Sequence, residues 1–196
     1  MKKIVVAMLL SCTVTPAFAS DQKMDAKKQE AMKAWMQYAT PGQPHQIFKD
    51  MAGKYTYTSK FWESSEGKPH ESKGSTTLKL ILGGRFLQNE TKGKAMGMPF
   101  EGFGLTGYDN LKKKYDTIWL DSMATGVMHG TGSFDESSKT LKDSGTFTCP
   151  ESPEKTREYR AEWKFTDKDH ATYTMWAPDK NGKEFKNMEM VFTRKQ

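Results

Sequence analysis

From Tyr55 onward the chain alternates with period two. Tyr55, Tyr57, Ser59 and Phe61 share one parity against Thr56, Thr58 and Lys60, which predicts a strand with one buried face. The same period returns at Thr76, Leu78 and Leu80 against Thr77 and Lys79. It is cleanest at Tyr159, Ala161, Trp163 and Phe165 against Arg160, Glu162 and Lys164. Strands are predicted over 55–61, 76–80, 85–91, 99–108, 115–123, 127–134, 140–148, 157–165, 171–176 and 184–194. Gly83-Gly84, Asp109-Asn110, Ala124-Thr125-Gly126, the 135–138 and 150–153 segments, Asp167-Lys168-Asp169 and 179–182 separate them with turn chemistry. No long helix intervenes, so the sheet is antiparallel and meandering. Ten such strands leave least exposed edge when they close into a barrel. Upstream the period lengthens. Met24, Lys28, Met32, Trp35 and Met36 fall on one face of a helix over 21–38 that Pro41-Gly42 stops. A shorter helix is expected over 44–51, with Pro44 in its first turn and Gly53 past its end. The apolar stripe Met32, Trp35 and Met36 leads to the expectation that the first helix docks on the barrel or covers one mouth.

Residues 1–19 read as an export signal: Lys2 and Lys3, an apolar run from Ile4 to Leu10, and Ala17-Phe18-Ala19 before Ser20. The expected organisation is a signal over 1–19, a helical extension over 20–43 and a barrel over 44–196, in the periplasm or secreted. Cys12 after Leu9-Leu10-Ser11 imitates a lipoprotein site, but bulky Leu10 and the Ala-Phe-Ala site favour soluble export. Beyond the signal, Leu, Ile, Val and Phe make up only about 13% of the chain, below the roughly 20% that warns of disorder. That warning also needs high net charge, and 28 basic residues against 24 acidic ones do not supply it. Twenty-two aromatics restore the missing apolar area. The basic residues are almost all Lys and alternate with Asp and Glu, which argues against a nucleic-acid partner. No apolar run beyond the signal approaches the roughly 18 residues of a transmembrane helix. Cys149 alone remains after the signal, so packing rather than a disulfide must hold the fold.

Several segments together resemble one family. Met51-Ala52-Gly53-Lys54-Tyr55, the 82–88 run Leu-Gly-Gly-Arg-Phe-Leu-Gln, Phe100-Glu101-Gly102 leading to 106–110, and Trp119-Leu120-Asp121-Ser122 leading to Gly126 resemble bacterial domain-of-unknown-function family 1579 over about residues 44–195. The resemblance implies a lipocalin-like or fatty-acid-binding-protein-like β-barrel with a cavity, and no established activity or catalytic residue. The expected fold class is thus all-β, an antiparallel lipocalin-like barrel of about ten strands with one or two N-terminal helices. His129 departs from the pattern, standing where an aliphatic or polar strand residue is expected.

Candidate chemistry is sparse. No Gly-x-Ser-x-Gly elbow is present, and Cys149 beside Pro150 reads as an incidental thiol. His45, His70, His129 and His170 lack metal-ligand spacing; a haem on His129 or His170 is weaker than a surface or turn reading, so no cofactor or metal is assigned. Met96-Gly97-Met98 and Met188-Glu189-Met190 could present thioethers to copper(I), yet residues two apart in a strand share a face, so core packing explains the second pair. Charges inside strands say more. Arg85, Glu90 and Asp121 interrupt segments otherwise suited to burial, where an unpaired charge costs several kcal/mol. Asp121 shares a face with Thr117, Trp119 and Met123; whether that face or the one bearing Ile118 and Leu120 points inward is left open by periodicity. The candidate ligand-contacting set is Arg85, Glu90, Tyr108, Trp119, Asp121, Met123, Tyr159 and Trp163. The leading expectation is a non-enzymatic barrel holding a small apolar or amphipathic ligand. A filled structural or interaction module, and an enzyme using Asp121 or Glu90 as general base, are the alternatives.

Overall fold

The computed structural model describes residues 26–179 and 181–196. The expected signal with Cys12, and the first residues of the expected first helix, lie outside them. The described chain divides after Trp35. A helix α1 (Ala26–Ala39) contains no buried residue, and its Met32, Trp35 and Met36 are exposed. A 3₁₀ turn (Gln43–His45) runs into α2 (Gln46–Met51), so the second expected helix is a 3₁₀ turn followed by one and a half turns of α-helix.

Ten strands follow: β1 (Gly53–Phe61), β2 (His70–Ile81), β3 (Phe86–Ala95), β4 (Met98–Asp109), β5 (Lys114–Asp121), β6 (Met128–Asp135), β7 (Thr140–Thr148), β8 (Thr156–Phe165), β9 (His170–Pro178) and β10 (Glu184–Arg194). Each pairs antiparallel with its neighbour in sequence, and β10 returns to β1 to close the barrel. The seam is registered by Tyr55 opposite Arg194, Tyr57 opposite Phe192 and Phe61 opposite Met188. One irregularity interrupts β10 between Lys186 and Met188, a bulge that leaves Asn187 without a partner on β9. Between β2 and β3, Leu82–Gly84 is a 3₁₀ turn, and Arg85 leaves it in helical conformation before β3 starts.

Burial settles which parity faces inward. Tyr115 is 3% exposed, and Thr117, Trp119 and Asp121 follow it at period two, so that face of β5 lines the interior. Leu120, at 41% exposed, stands outside opposite Phe103. The barrel is filled at the end where α2 enters. There Phe48, wholly buried, sits with Ile47 and Met51 among Tyr55, Leu78, Leu87, Tyr115, Leu141 and Phe192. This plug is where the aromatics replace the scarce aliphatics: Phe48 meets Tyr115 edge-on at 6.0 Å, and Trp163 stacks on Phe192 at 4.8 Å.

Candidate functional site

Beyond the plug the inner face changes character. Gly74, Gly93, Gly102, Gly104, Gly130, Gly132 and Gly145 all fall on the inward parity of β2 to β7. A barrel of ten strands is wider than one of eight, whose side chains just fill it, and here Tyr159, Ala161 and Met175 form a second, smaller buried cluster. The aromatics of this half lie along the wall. A side chain at Gly74 or Gly93 would strike the Tyr57 hydroxyl, and one at Gly102 would strike the Trp119 indole. The rings cover bare backbone on neighbouring strands rather than crossing the lumen. Trp119, Asp121 and Asp143 are half-buried, and Met128, Phe147, Tyr173 and Met188 pack, partly buried, on the Tyr159, Ala161 and Met175 cluster.

At the centre of this half three strands converge over Gly130. Asp143 Oδ2 accepts hydrogen bonds from Thr117 Oγ1 at 2.9 Å and Tyr159 Oη at 3.1 Å, and a side chain at Gly130 would meet all three groups. Burial raises the Asp143 carboxyl above the ordinary aspartate value, and its hydroxyl partners only partly offset the rise. Burial first, and the Asp143 charge second, push the Tyr159 and Tyr173 phenols well up as well, so both remain neutral donors. Among the described residues Asp143 forms no salt bridge. Across the barrel the wall is polar: Thr76 donates to Asn89 Oδ1 at 2.5 Å and accepts from Thr91 Oγ1 at 2.8 Å, while Ser59 and Ser72 share a hydrogen bond of 2.9 Å.

Of the sequence-predicted set, Tyr108, Trp119, Asp121, Tyr159 and Trp163 face inward. Trp119 Nε1 donates to Asp121 Oδ2 at 2.8 Å, so these two form one unit nearer the open mouth. Trp163 and Tyr108 belong to the plug, Tyr108 lying 5.6 Å from the His45 ring and 4.8 Å from that of Tyr115. Arg85 and Glu90 stand outside the barrel interior. Arg85 is exposed and donates to the Leu82 carbonyl at 3.1 Å, and Glu90 is exposed, bonded to Gln88 on the outer face. The inward residues of β3 are Leu87, Asn89, Thr91 and Gly93, so Glu90 is no cavity base. Met123 lies in the turn after β5 and is 38% exposed, with its amide bonded to Asp121 Oδ1. His129 is exposed on the outer face of β6, and exposed His170 is held by Asp167 at 2.9 Å. Among the described residues no cluster of His, Cys, Asp and Glu could hold a metal ion. Asp143 was missed. Its signal was the alternation Leu141, Asp143, Gly145 and Phe147 against Lys142, Ser144 and Thr146, which puts a carboxylate on an apolar face.

Two cavities lie elsewhere, at the plug end. One of about 490 Å³ opens between Asp50, Tyr55, Phe165, the 166–170 turn and Arg194; another of about 350 Å³ lies by His45, Arg85, Phe86, Leu105 and Ile118. Neither includes Asp143. The first is floored by groups already engaged, since Arg194 is spent on the carbonyls of Asp50, Ala52 and Lys168.

A closed antiparallel barrel, plugged at one end and lined by aromatics, Met and Gly at the other, defines a lipocalin-like β-barrel. The chain belongs to the family described as "protein of unknown function" (DUF1579), which matches residues 40–194. Among solved structures it is similar to the crystal structure of Rv2717c from M. tuberculosis, with a TM-score of 0.60 at 11% identity over 80% of this chain and 100% of that one. It is also similar to the S-type phycobiliprotein lyase CPES from Guillardia theta, with a TM-score of 0.54 at 8% identity over 83% and 97% of the two chains. At these identities the likeness is one of fold. Comparison with curated proteins gave no match.

Proposed function

We propose that the barrel is an exported binding protein that holds a small apolar or amphipathic molecule non-covalently in its open half. The observation that carries this reading is the change of the inner face partway along the strands, from an aromatic plug to a glycine-lined wall with half-buried Trp119, Asp121 and Asp143 beside a smaller cluster of Tyr159, Met175 and Met188. Aromatic and Met side chains give a contact surface that adapts to irregular apolar shapes, and a few placed polar groups orient what is bound. No helix among the described residues is long and apolar enough to cross a membrane. Native mass spectrometry of protein purified from the envelope of its own cells tests the reading. A small-molecule mass retained in native spray and lost on denaturation is expected; the bare polypeptide from every preparation speaks against it. The same spectrum tests export, for which a chain starting at Ser20 is expected and a lipid-modified Cys12 is the contrary result.

A second reading, an enzyme, is favoured by Asp143. A carboxylate made more basic by burial and oriented by two hydroxyls is equipped to take a proton from a bound molecule. The two readings part on whether the retained molecule emerges unchanged when the complex is incubated and extracted.

A further inference from the structure

The lumen carboxylate has hydrogen-bond donors but no counter-charge. Thr117 and Tyr159 both donate to Asp143 Oδ2, and every protein group around it is otherwise neutral: the bare backbone of Gly130 and Gly132, Ala161 opposite it on β8, and the Tyr173 phenol. The one inward-parity cation of β8, Arg157, stands two residues beyond Tyr159 toward the open mouth and has Glu151 at 3.9 Å. The other inward carboxylate of this half, Asp121, is occupied by the Trp119 indole and the Met123 amide. A largely desolvated carboxylate with no cation beside it carries a cost that a ligand supplying the charge would offset. Its surroundings suit a cation further: the Tyr159 ring lies 6.5 Å from that of Phe147, and aromatic faces attract positive charge.

We infer that the ligand is an amphipathic cation, its protonated amine or equivalent N–H⁺ group seated on Asp143 between the Thr117 and Tyr159 hydroxyls and its apolar body lying along the Trp119 and Met wall. This rests on the binding reading of the lumen. The net positive charge of the chain gives no long-range pull on a cation, so the preference belongs to the site and disappears with Asp143 alone.

The test is calorimetric titration of the full-length mature protein with three probes of equal tail length below their micellar concentrations: n-dodecylammonium, n-dodecanol and dodecanoate. Dodecylammonium is expected to bind at least tenfold more tightly than either of the others. In Asp143→Asn that preference falls to about twofold or less while dodecanol binding is kept. Thermal unfolding establishes that the variant is folded, and Tyr159→Phe, which keeps the ring and removes one competing donor, retains the preference. Equal binding of the three probes, tighter binding of dodecanoate, or a preference that survives Asp143→Asn overturns the inference while leaving the lumen reading standing. Failure of all three probes to bind overturns both.

Discussion

Asp143 is held where a purely structural role gains little. Its folded pKa is raised, so the folded state binds a proton more tightly than the unfolded chain does. The associated stability is full below the ordinary aspartate value of 3.8 and is lost as the pH rises through the folded value. Once the pH has risen through the folded value, the native barrel carries the cost of an ionised, largely buried carboxylate. Asp143→Asn keeps the shape and removes the charge, and should raise the Tm at pH 7 by about 2 °C or more, with little gain near pH 3.5. Differential scanning calorimetry at the two pH values checks this; a lower Tm at pH 7 would mark Asp143 as a structural tie. Gly130 is the complementary position. Any side chain there meets Tyr159 Oη, Thr117 Oγ1 and Asp143 Oδ2 at once, so Gly130→Ala should cost about 1–3 kcal/mol in chemical denaturation. The sequence showed less at this scale. The inward parity of β5 stayed open because Ile118 and Leu120 are as apolar as Trp119 and Met123, and only the sealing of Tyr115 by Phe48 decides it. Arg85 and Glu90 misled because their strand seemed to bury charges. In fact one precedes the strand and the other faces solvent.

At the scale of elements, the short α2 and the turn before it matter more than their length suggests. His45 Nδ1 accepts the Gly42 amide at 3.0 Å, and the ring packs edge-on against Phe48 and Tyr108. Burial, with a smaller contribution from the Arg85 charge, holds its pKa below the ordinary 6.5. The unfolded chain thus takes up a proton before the native state does, and stability declines as the pH falls below 6.5 until the folded value is passed. His45→Gln, which keeps an acceptor but does not titrate, should shrink the fall in Tm between pH 7 and pH 5; an unchanged fall would place the acid sensitivity elsewhere. The other end of α2 is tied by Arg194, which donates to Asp50 O at 2.7 Å, to Ala52 O and to Lys168 O at 2.8 Å, and lies 4.7 Å over the Tyr55 ring. Lys cannot reproduce that planar fork. Arg194→Lys should cost about 2 kcal/mol by urea unfolding, and an effect near zero would show the tie to be dispensable. Most element boundaries were legible because period two and turn residues are local signals. The 3₁₀ start of the second helix was not, since it depends on what His45 packs against, nor was the exposed Leu82–Gly84 turn, whose shape rests on positive φ at Leu82, Gly83 and Gly84.

At the scale of the molecule, a chain poor in Leu, Ile and Val closes a ten-stranded barrel because each strand buries one face and α2 adds a plug. Closure itself was readable from ten meandering strands; the division of the interior into an α2-plugged half and a glycine-lined half was not. That division depends on which glycines share a face and on where rings lie flat, and both follow from register. The methionines report on it. Met128, Met175, Met188 and Met190 face the open half, whereas Met96 and Met98 are exposed in and beside the β3–β4 turn. The most direct test of lumen binding is therefore methyl NMR of protein labelled at the Met methyls, titrated with an amphiphile whose dodecyl chain carries a nitroxide. Selective broadening of the four lumen methyls, relieved by an unlabelled dodecyl competitor, is the predicted result; broadening confined to Met96 and Met98, or none at saturating probe, would contradict it.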